Sequence, residues 1–347
     1  MDVAITDTSA DDREESVRLI TESAAGVLKD DRRRARSLRL TAPGFDAAKW
    51  ADLADQGWLM LRLPEDRDGL GMGLCELCAI ARAMGAELCP EPIPMAALIA
   101  PALPDAALAS LLSCAEITLP AFAAYDGVAP ILSGGTLTGR IEAIPYAGAA
   151  DAFLVQTGTG GALVRADAPG LVLTRHPTHD GGHLGTLNFA ATPAMAITAD
   201  MDRLRDEATL VLAAQLLGIA ETAFDITLTY LKDRRQFGQP IGAFQALQHR
   251  TVDLVLELAL MRAAVEAAAN ALDDGAPAAR FVSLAKARAT RGARAITQAA
   301  IQLHGGIGYT DEADIGLYLR KSMTFAGLLG TEQFHRHRAL SLSEAKA

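Results

Sequence analysis

Over the first hundred residues apolar side chains recur every three or four positions, and that period predicts helix after helix. Val17, Ile20, Ala24 and Leu28 share one face of a first helix from about Asp11 to Leu28, with Ser9 placed to cap it. A second helix is expected from Phe45 to Gln56, stopped by Gly57, and a third from Leu74 to Met84 after the flexible loop Asp68–Gly73. The run Asp30-Asp31-Arg32-Arg33-Arg34 reads as a solvated helix end. From about residue 114 the period changes. Short apolar runs, Phe153–Val155, Leu163–Val164 and Leu171–Leu173, are separated by turns such as Ser133-Gly134-Gly135, which predicts a small β-barrel or sandwich. Near Met201 the helical period returns. Leu204–Asp233 carries Leu210, Ala213, Leu217 and Ala220 on one stripe. In Phe244–Asp273, Leu254, Leu258, Met261, Val265, Ala268 and Leu272 alternate spacings of four and three, the seam of a helix bundle. Ala278–His304 and two shorter helices, about Asp311–Met323 and Thr331–Ala345, complete it. The expected class is α+β: an N-terminal α-helical domain over 1–113, a middle β domain over 114–200 and a C-terminal helix bundle over 201–347.

Composition narrows the function classes. Lys plus Arg is 32 against 42 Asp plus Glu, a net charge of −10, and a phosphate backbone calls for the opposite balance; no nucleic-acid partner is expected. No run approaches the roughly 20 uninterrupted apolar residues of a membrane span, and the acidic start MDVAITDTSADDREE lacks a secretory pattern. Four cysteines are too few for a disulfide scaffold, so a cytoplasmic protein with no membrane role is expected.

Several chemistry-bearing patterns have a plain reading. Cys75-Glu-Leu-Cys78 lies inside an apolar helix with no second ligand pair, so the cysteines read as small buried side chains and no metal is expected. His176, His179, Asp180 and His183 sit in a glycine-rich segment between short strands and read as a solvated loop. Neither Gly69-Leu-Gly71-Met-Gly73 nor Gly305-Gly306-Ile-Gly308 follows a strand as a dinucleotide fingerprint would.

The linker Asp233–Gln245, DRRQFGQPIGAFQ, is different. It joins two long helices, yet holds paired arginines, Phe237 and several glutamines. A helix dipole explains the arginines but not Phe237 or Gln245. Together these types suit a ligand with a pyrophosphate and a flat polar ring. Gln302-Leu-His304-Gly305-Gly306 ends the next bundle helix, and Gly330-Thr331-Glu332-Gln333 opens the last, where free N–H groups can hold a phosphate.

RRQFGQPIGAFQALQHR, QLHGGIGYTDE and QGWLMLRLPEDRDGLGMG, in an α–β–α order, resemble the acyl-CoA dehydrogenase family over nearly the whole chain. The resemblance implies FAD, an acyl-CoA substrate of fatty or steroid-like type, and an electron-transfer flavoprotein as a possible acceptor. It implies that Arg234, Gln236, Phe237 and Gln245 contact FAD, the first three reaching the FAD of a neighbouring subunit; that Gln302, Gly305 and Gly306 cross to that same FAD; and that Thr331 and Gln333 contact FAD within their own subunit. Such a site needs at least a dimer.

Three departures from the family pattern bear on mechanism. The position of the usual catalytic glutamate is Leu329. The alternative position on the first bundle helix is Ala208, with Glu207 roughly 100° around the helix. The middle domain replaces the usual flavin contacts with Ile117–Ala121 and Ile144–Ala147. Removing a weakly acidic α-proton requires a desolvated base, worth about 10²–10⁴-fold, and leucine cannot serve. The leading expectation is therefore a subunit whose base comes from a homologous partner in a heterotetramer. The rivals are a homodimer or homotetramer with a displaced base, Glu207 or Glu332, and a non-enzymatic scaffold. The charged neighbours Arg203, Arg205 and Asp206 favour Glu207 as a solvated acid in the first helix turn.

Overall fold

In the computed structural model, which describes residues 8–344, the helical period of the first hundred residues becomes six helices: α1 (Thr8–Val27), α2 (Asp31–Leu38), α3 (Ala47–Asp55), α4 (Leu74–Ala86), α5 (Ile93–Ile99) and α6 (Asp105–Leu112). The first begins at Thr8, so Ser9 lies inside it and is not its cap. Residues 1–7 and Ala345, counted above in the acidic start and the last helix, lie outside the described residues. The Asp30–Arg34 run is not a solvated end. It opens α2, where Asp31 is buried and the Arg34 guanidinium bridges Asp31 and Glu91, each at 2.7 Å. The Asp68–Gly73 loop is pinned: Leu74 and Cys75 donate their N–H groups to Asp273 at 2.7 and 2.9 Å, so a carboxylate from the far bundle caps α4.

Eight strands follow: β1 (Thr118–Ala121), β2 (Ile131–Ser133), β3 (Thr136–Pro145), β4 (Ala152–Thr157), β5 (Gly160–Arg165), β6 (Leu171–Pro177), β7 (His183–Pro193) and β8 (Met195–Ile197). They form two four-stranded sheets, ordered β1-β4-β5-β8 and β2-β3-β7-β6, antiparallel except for the β1–β4 pair. All six residues of β4 are buried, which is why Phe153-Leu154-Val155 reads as a continuous apolar run.

The remaining chain is α7 (Met201–Asp233), the hairpin β9 (Arg235–Gln236) and β10 (Gln239–Pro240), α8 (Gln245–Asp273), α9 (Ala279–His304), α10 (Ile315–Gly327) and α11 (Glu332–Glu344). All six seam positions of α8 are buried. Helix α7 runs through the middle, packed on α4, α8, α9 and α10. It is long and apolar enough to span a membrane, but most of its apolar window is buried in the protein. Two glycines set its approach to α4: a Cβ on Gly218 would lie 1.9 Å from the Arg82 carbonyl, and one on Gly85 would lie 2.2 Å from that of Gln215. The middle domain docks on the bundle through Asp180, whose carboxylate meets Lys321 Nζ at 2.8 Å with almost no solvent contact. Burial works against that charge, but the ammonium and the Thr178 hydroxyl hold the Asp180 pKa at about 2. The histidine-rich segment is therefore a docking corner: Asp180 is buried against α10, and His183 Nε2 accepts from Gly148 N–H at 2.9 Å.

Candidate active site

The three parts meet around a cavity of about 160 Å³. Met95 of α5, Phe122 and Tyr146 of the middle domain, and Leu212, Gln215 and Leu329 of the bundle line it. Leu329 belongs to the short turn between α10 and α11 and holds a left-handed φ of 50°, followed by Gly330 at 99°. A left-handed leucine costs roughly 1–3 kcal/mol, and the surroundings hold the turn in place. Lys286 of α9, fully buried, donates to the carbonyls of Phe325 and Ala326, each at 3.2 Å, and of Gly330 at 3.3 Å. It has no carboxylate partner among the described residues, and burial pushes its pKa down to about 7. His335 donates Nε2–H to the Leu329 carbonyl at 2.7 Å. The carbonyl can only accept, so this nitrogen carries the proton. Burial first, then Lys286 and Arg338, lower its pKa to about 4, so it is neutral at physiological pH.

No uncommitted carboxylate reaches the cavity among the described residues. Glu91 lines it, but accepts from Arg34, from Asp46 N–H at 2.9 Å and from the Cys89 thiol at 2.9 Å. Glu142 is exposed and paired with Arg140. Asp31, Cys89 and Glu91 lie close enough for a metal, but the Arg34 guanidinium already occupies their centre. Glu207 is not a solvated acid: it is 2% exposed, held by Arg62 of the first domain at 2.6 Å and by Arg203 at 3.0 Å. It does not line the cavity. Its burial was missed because the partner that desolvates it, Arg62, lies 145 residues away. Glu332 pairs with Arg294 at 3.0 Å in a separate groove, lined also by Thr331, Gln333 and Arg336. Within α4, Cys78 is buried and Cys75 half-buried, and burial raises both thiol pKa values, as inert side chains require.

A second group of residues gathers at the end of the bundle where α7 and α9 finish. Tyr230 stacks on His304 with ring centroids 4.4 Å apart and donates its hydroxyl to the His304 carbonyl at 3.2 Å, tying the two helix ends together. Arg234, Gln236 and Phe237 therefore stand on the same end of the bundle as Gln302, Gly305 and Gly306, and all six are exposed. Phe237, 91% exposed, stands edge-on to Phe244, and Gln245 opens α8 beside it. The side chains of Arg234, Gln245 and Gln302 make no hydrogen bond to the described residues. A Cβ on Gly306 would meet nothing within 4 Å, so nothing in this chain's own packing demands glycine there. A guanidinium, carboxamides, an exposed ring and open glycines form a set of groups suited to a flavin dinucleotide. Thr331 and Gln333 are exposed at the start of α11, and Thr331 Oγ1 accepts from Phe334 N–H at 3.2 Å. Close by, the middle domain is stapled to α11: Tyr125 stacks on Phe334 at 5.2 Å, with the guanidinium groups of Arg205 and Arg338 over its ring at 4.0 and 4.5 Å.

The α–β–α chain thus has a cavity at the junction of its parts and, at one bundle end, an exposed face whose residue types suit a nucleotide cofactor. Residues 197–340 match the acyl-CoA dehydrogenase C-terminal domain. Acyl-CoA dehydrogenase IpdE2 of Mycolicibacterium smegmatis is 31% identical over 305 residues, which cover 85% of this chain and 88% of that protein. The fold is similar to the Tcur3481–Tcur3483 steroid ACAD (TM-score 0.89, 29% identity, 96% of this chain and 99% of that one). It is also similar to the ChsE4–ChsE5 complex of Mycobacterium tuberculosis (TM-score 0.85, 26% identity, both chains covered in full). The chain belongs to the acyl-CoA dehydrogenase family, so it is an FAD-dependent oxidoreductase subunit for an acyl-CoA.

Proposed function

We propose that this chain is the base-lacking subunit of a heteromeric acyl-CoA dehydrogenase, and that a homologous partner chain supplies the carboxylate for α-proton removal. The observation that carries the reading is Leu329: it lines the interdomain cavity where a base is needed, and every carboxylate near that cavity is already paired. Bound FAD supplies the oxidising power that makes an α,β-enoyl thioester from the acyl one. This chain's Arg234 would neutralise the pyrophosphate of the FAD held by the neighbouring chain, and Gln236, Phe237, Gln245, Gln302, Gly305 and Gly306 would orient and cover it. Thr331 and Gln333 would serve a cofactor on this chain's own side. Leu329 and Leu328 keep water out of the cavity. The names of two structural neighbours, a steroid ACAD and a two-protein complex, support a steroid-like acyl-CoA and a heteromer. The family resemblance supports a cytoplasmic degradation route that passes electrons to an electron-transfer flavoprotein.

The test is acyl-CoA oxidation, followed with a ferrocenium acceptor, by this chain alone and after co-expression with a homologue carrying glutamate at the position of Leu329. The isolated chain is expected to be inactive with fatty and steroid thioesters, and the complex active. In that complex Glu207→Gln should lower the melting temperature, because it leaves the Arg62 guanidinium uncompensated, and should change turnover less than threefold. Robust turnover by the pure single chain, lost in Glu207→Gln, would overturn the proposal.

A further inference from the structure

The cavity beside Leu329 contains one polar group with nothing to do. Of its polar side chains, Glu91 is saturated by Arg34 and Asp46, Glu142 pairs with Arg140, and the Tyr146 hydroxyl accepts from Lys321 Nζ at 3.0 Å. Gln215 remains. It is 8% exposed, lines the cavity, and its carboxamide makes no hydrogen bond to any described residue. It is also the one polar residue in the run Leu210–Ala220, within a stretch of α7 that is buried throughout. Its carboxamide is not sealed in the core but opens to the cavity, where it is free to meet an occupant, whereas leucine at this position would present no polar group to one.

We propose that Gln215 is the specificity-determining residue of this cavity and selects a compact, ring-sized acyl segment bearing one hydroxyl or carbonyl oxygen. The size follows from the volume. At about 160 Å³ the cavity is comparable to engineered apolar cavities of roughly 150 Å³ that admit benzene. The oxygen follows from Gln215. A carboxamide both donates and accepts, so it matches either oxygen type, while a plain hydrocarbon segment would leave it unpaired. Met95, Phe122 and Leu212 offer apolar contact to the body of the segment. The proposal rests on the dehydrogenase-subunit reading for the kind of occupant, and on the cavity alone for its shape and polarity.

Phenol and toluene test it, having the same shape and differing in one hydroxyl. Titration calorimetry on the full chain should give phenol at least fivefold tighter than toluene. In Gln215→Leu, with an unchanged far-UV circular dichroism spectrum, the order should reverse. Leu212→Phe, which narrows the cavity and leaves the carboxamide, should weaken both probes. If Gln215→Leu does not fold, the wild-type preference and the Leu212→Phe result decide. Toluene equal to phenol in the wild type, neither probe binding, a preference that survives Gln215→Leu, or unchanged binding in Leu212→Phe would each overturn it. These readouts involve no flavin and no turnover, so failure here is distinct from failure of the base-lacking reading, which shows in the activity of the co-expressed complex.

Discussion

With Lys286, the His335 imidazole holds the turn that carries Leu329, and its protonation state has a consequence for stability. His335 is neutral in the fold, with its pKa lowered from 6.5 to about 4, chiefly by burial. In the unfolded chain it titrates normally. Between pH 6.5 and 4 the unfolded state therefore binds a proton that the folded state does not. Stability is full above pH 6.5 and falls as pH drops toward 4, by about 1.4 kcal/mol per pH unit. His335→Gln keeps a donor for the Leu329 carbonyl and removes the titration. Urea unfolding at fixed chain concentration should therefore lose about 2 kcal/mol less between pH 6.5 and 5 in this variant than in the wild type. Parallel pH profiles would show that His335 does not titrate in this window.

Among the elements, the β9–β10 hairpin carries the clearest chemistry. It exposes Arg235 and Phe237 next to Arg234 at the end of α7, and Phe237 takes a left-handed φ of 51° with no burial to repay it. A charge-assisted bond to a dianionic pyrophosphate is worth about 1.5–3 kcal/mol, so Arg234→Ala should weaken FAD retention roughly 10- to 150-fold. Since Arg234 is exposed at a helix end, the fold should survive. Flavin absorbance of the dialysed complex, beside far-UV circular dichroism, measures both; undiminished flavin would remove Arg234 from the cofactor contacts. The linker stands out in the sequence as a cofactor candidate because nothing in helix packing asks for arginine, glutamine and phenylalanine between two helices. The α8 seam was legible for the converse reason, that packing asks for that spacing. Charged residues with distant partners were not legible. Asp31, Asp180 and Glu207 all sit in polar local runs, yet each is buried against an arginine or lysine, Asp180 and Glu207 by one from another domain. Gln215 shows the same limit from the other side: its apolar run was plain, but the cavity it faces forms only when α5, the middle domain and the α10–α11 turn converge.

At the scale of the whole molecule, the bundle has two apolar faces, and the chain covers only one. The seam of α8 is buried inside, while Val252, Val255, Leu256 and Leu260 stand exposed at helical spacing on the opposite side, with Phe281 and Leu284 of α9 also exposed. Among the described residues nothing in the chain covers this stripe. Exposed aliphatic residues repeated at a helical period mark an association surface rather than scattered surface apolarity. The proposed cofactor contacts call for the same outcome: under that proposal Arg234 and Gln302 serve an FAD held by a neighbouring chain, which requires an assembly of at least two chains. Light scattering should therefore find a dimer or larger species, either of this chain alone or with its homologous partner. Leu256→Asp with Leu260→Asp should dissociate it, since two carboxylates in a closed apolar interface carry a large desolvation cost. Flavin should then be lost together with assembly, even though neither leucine belongs to the proposed cofactor contacts. A wild-type chain that stays monomeric with and without a partner would defeat the shared-site reading. An assembly that survives both aspartates would move its interface to another face of the bundle.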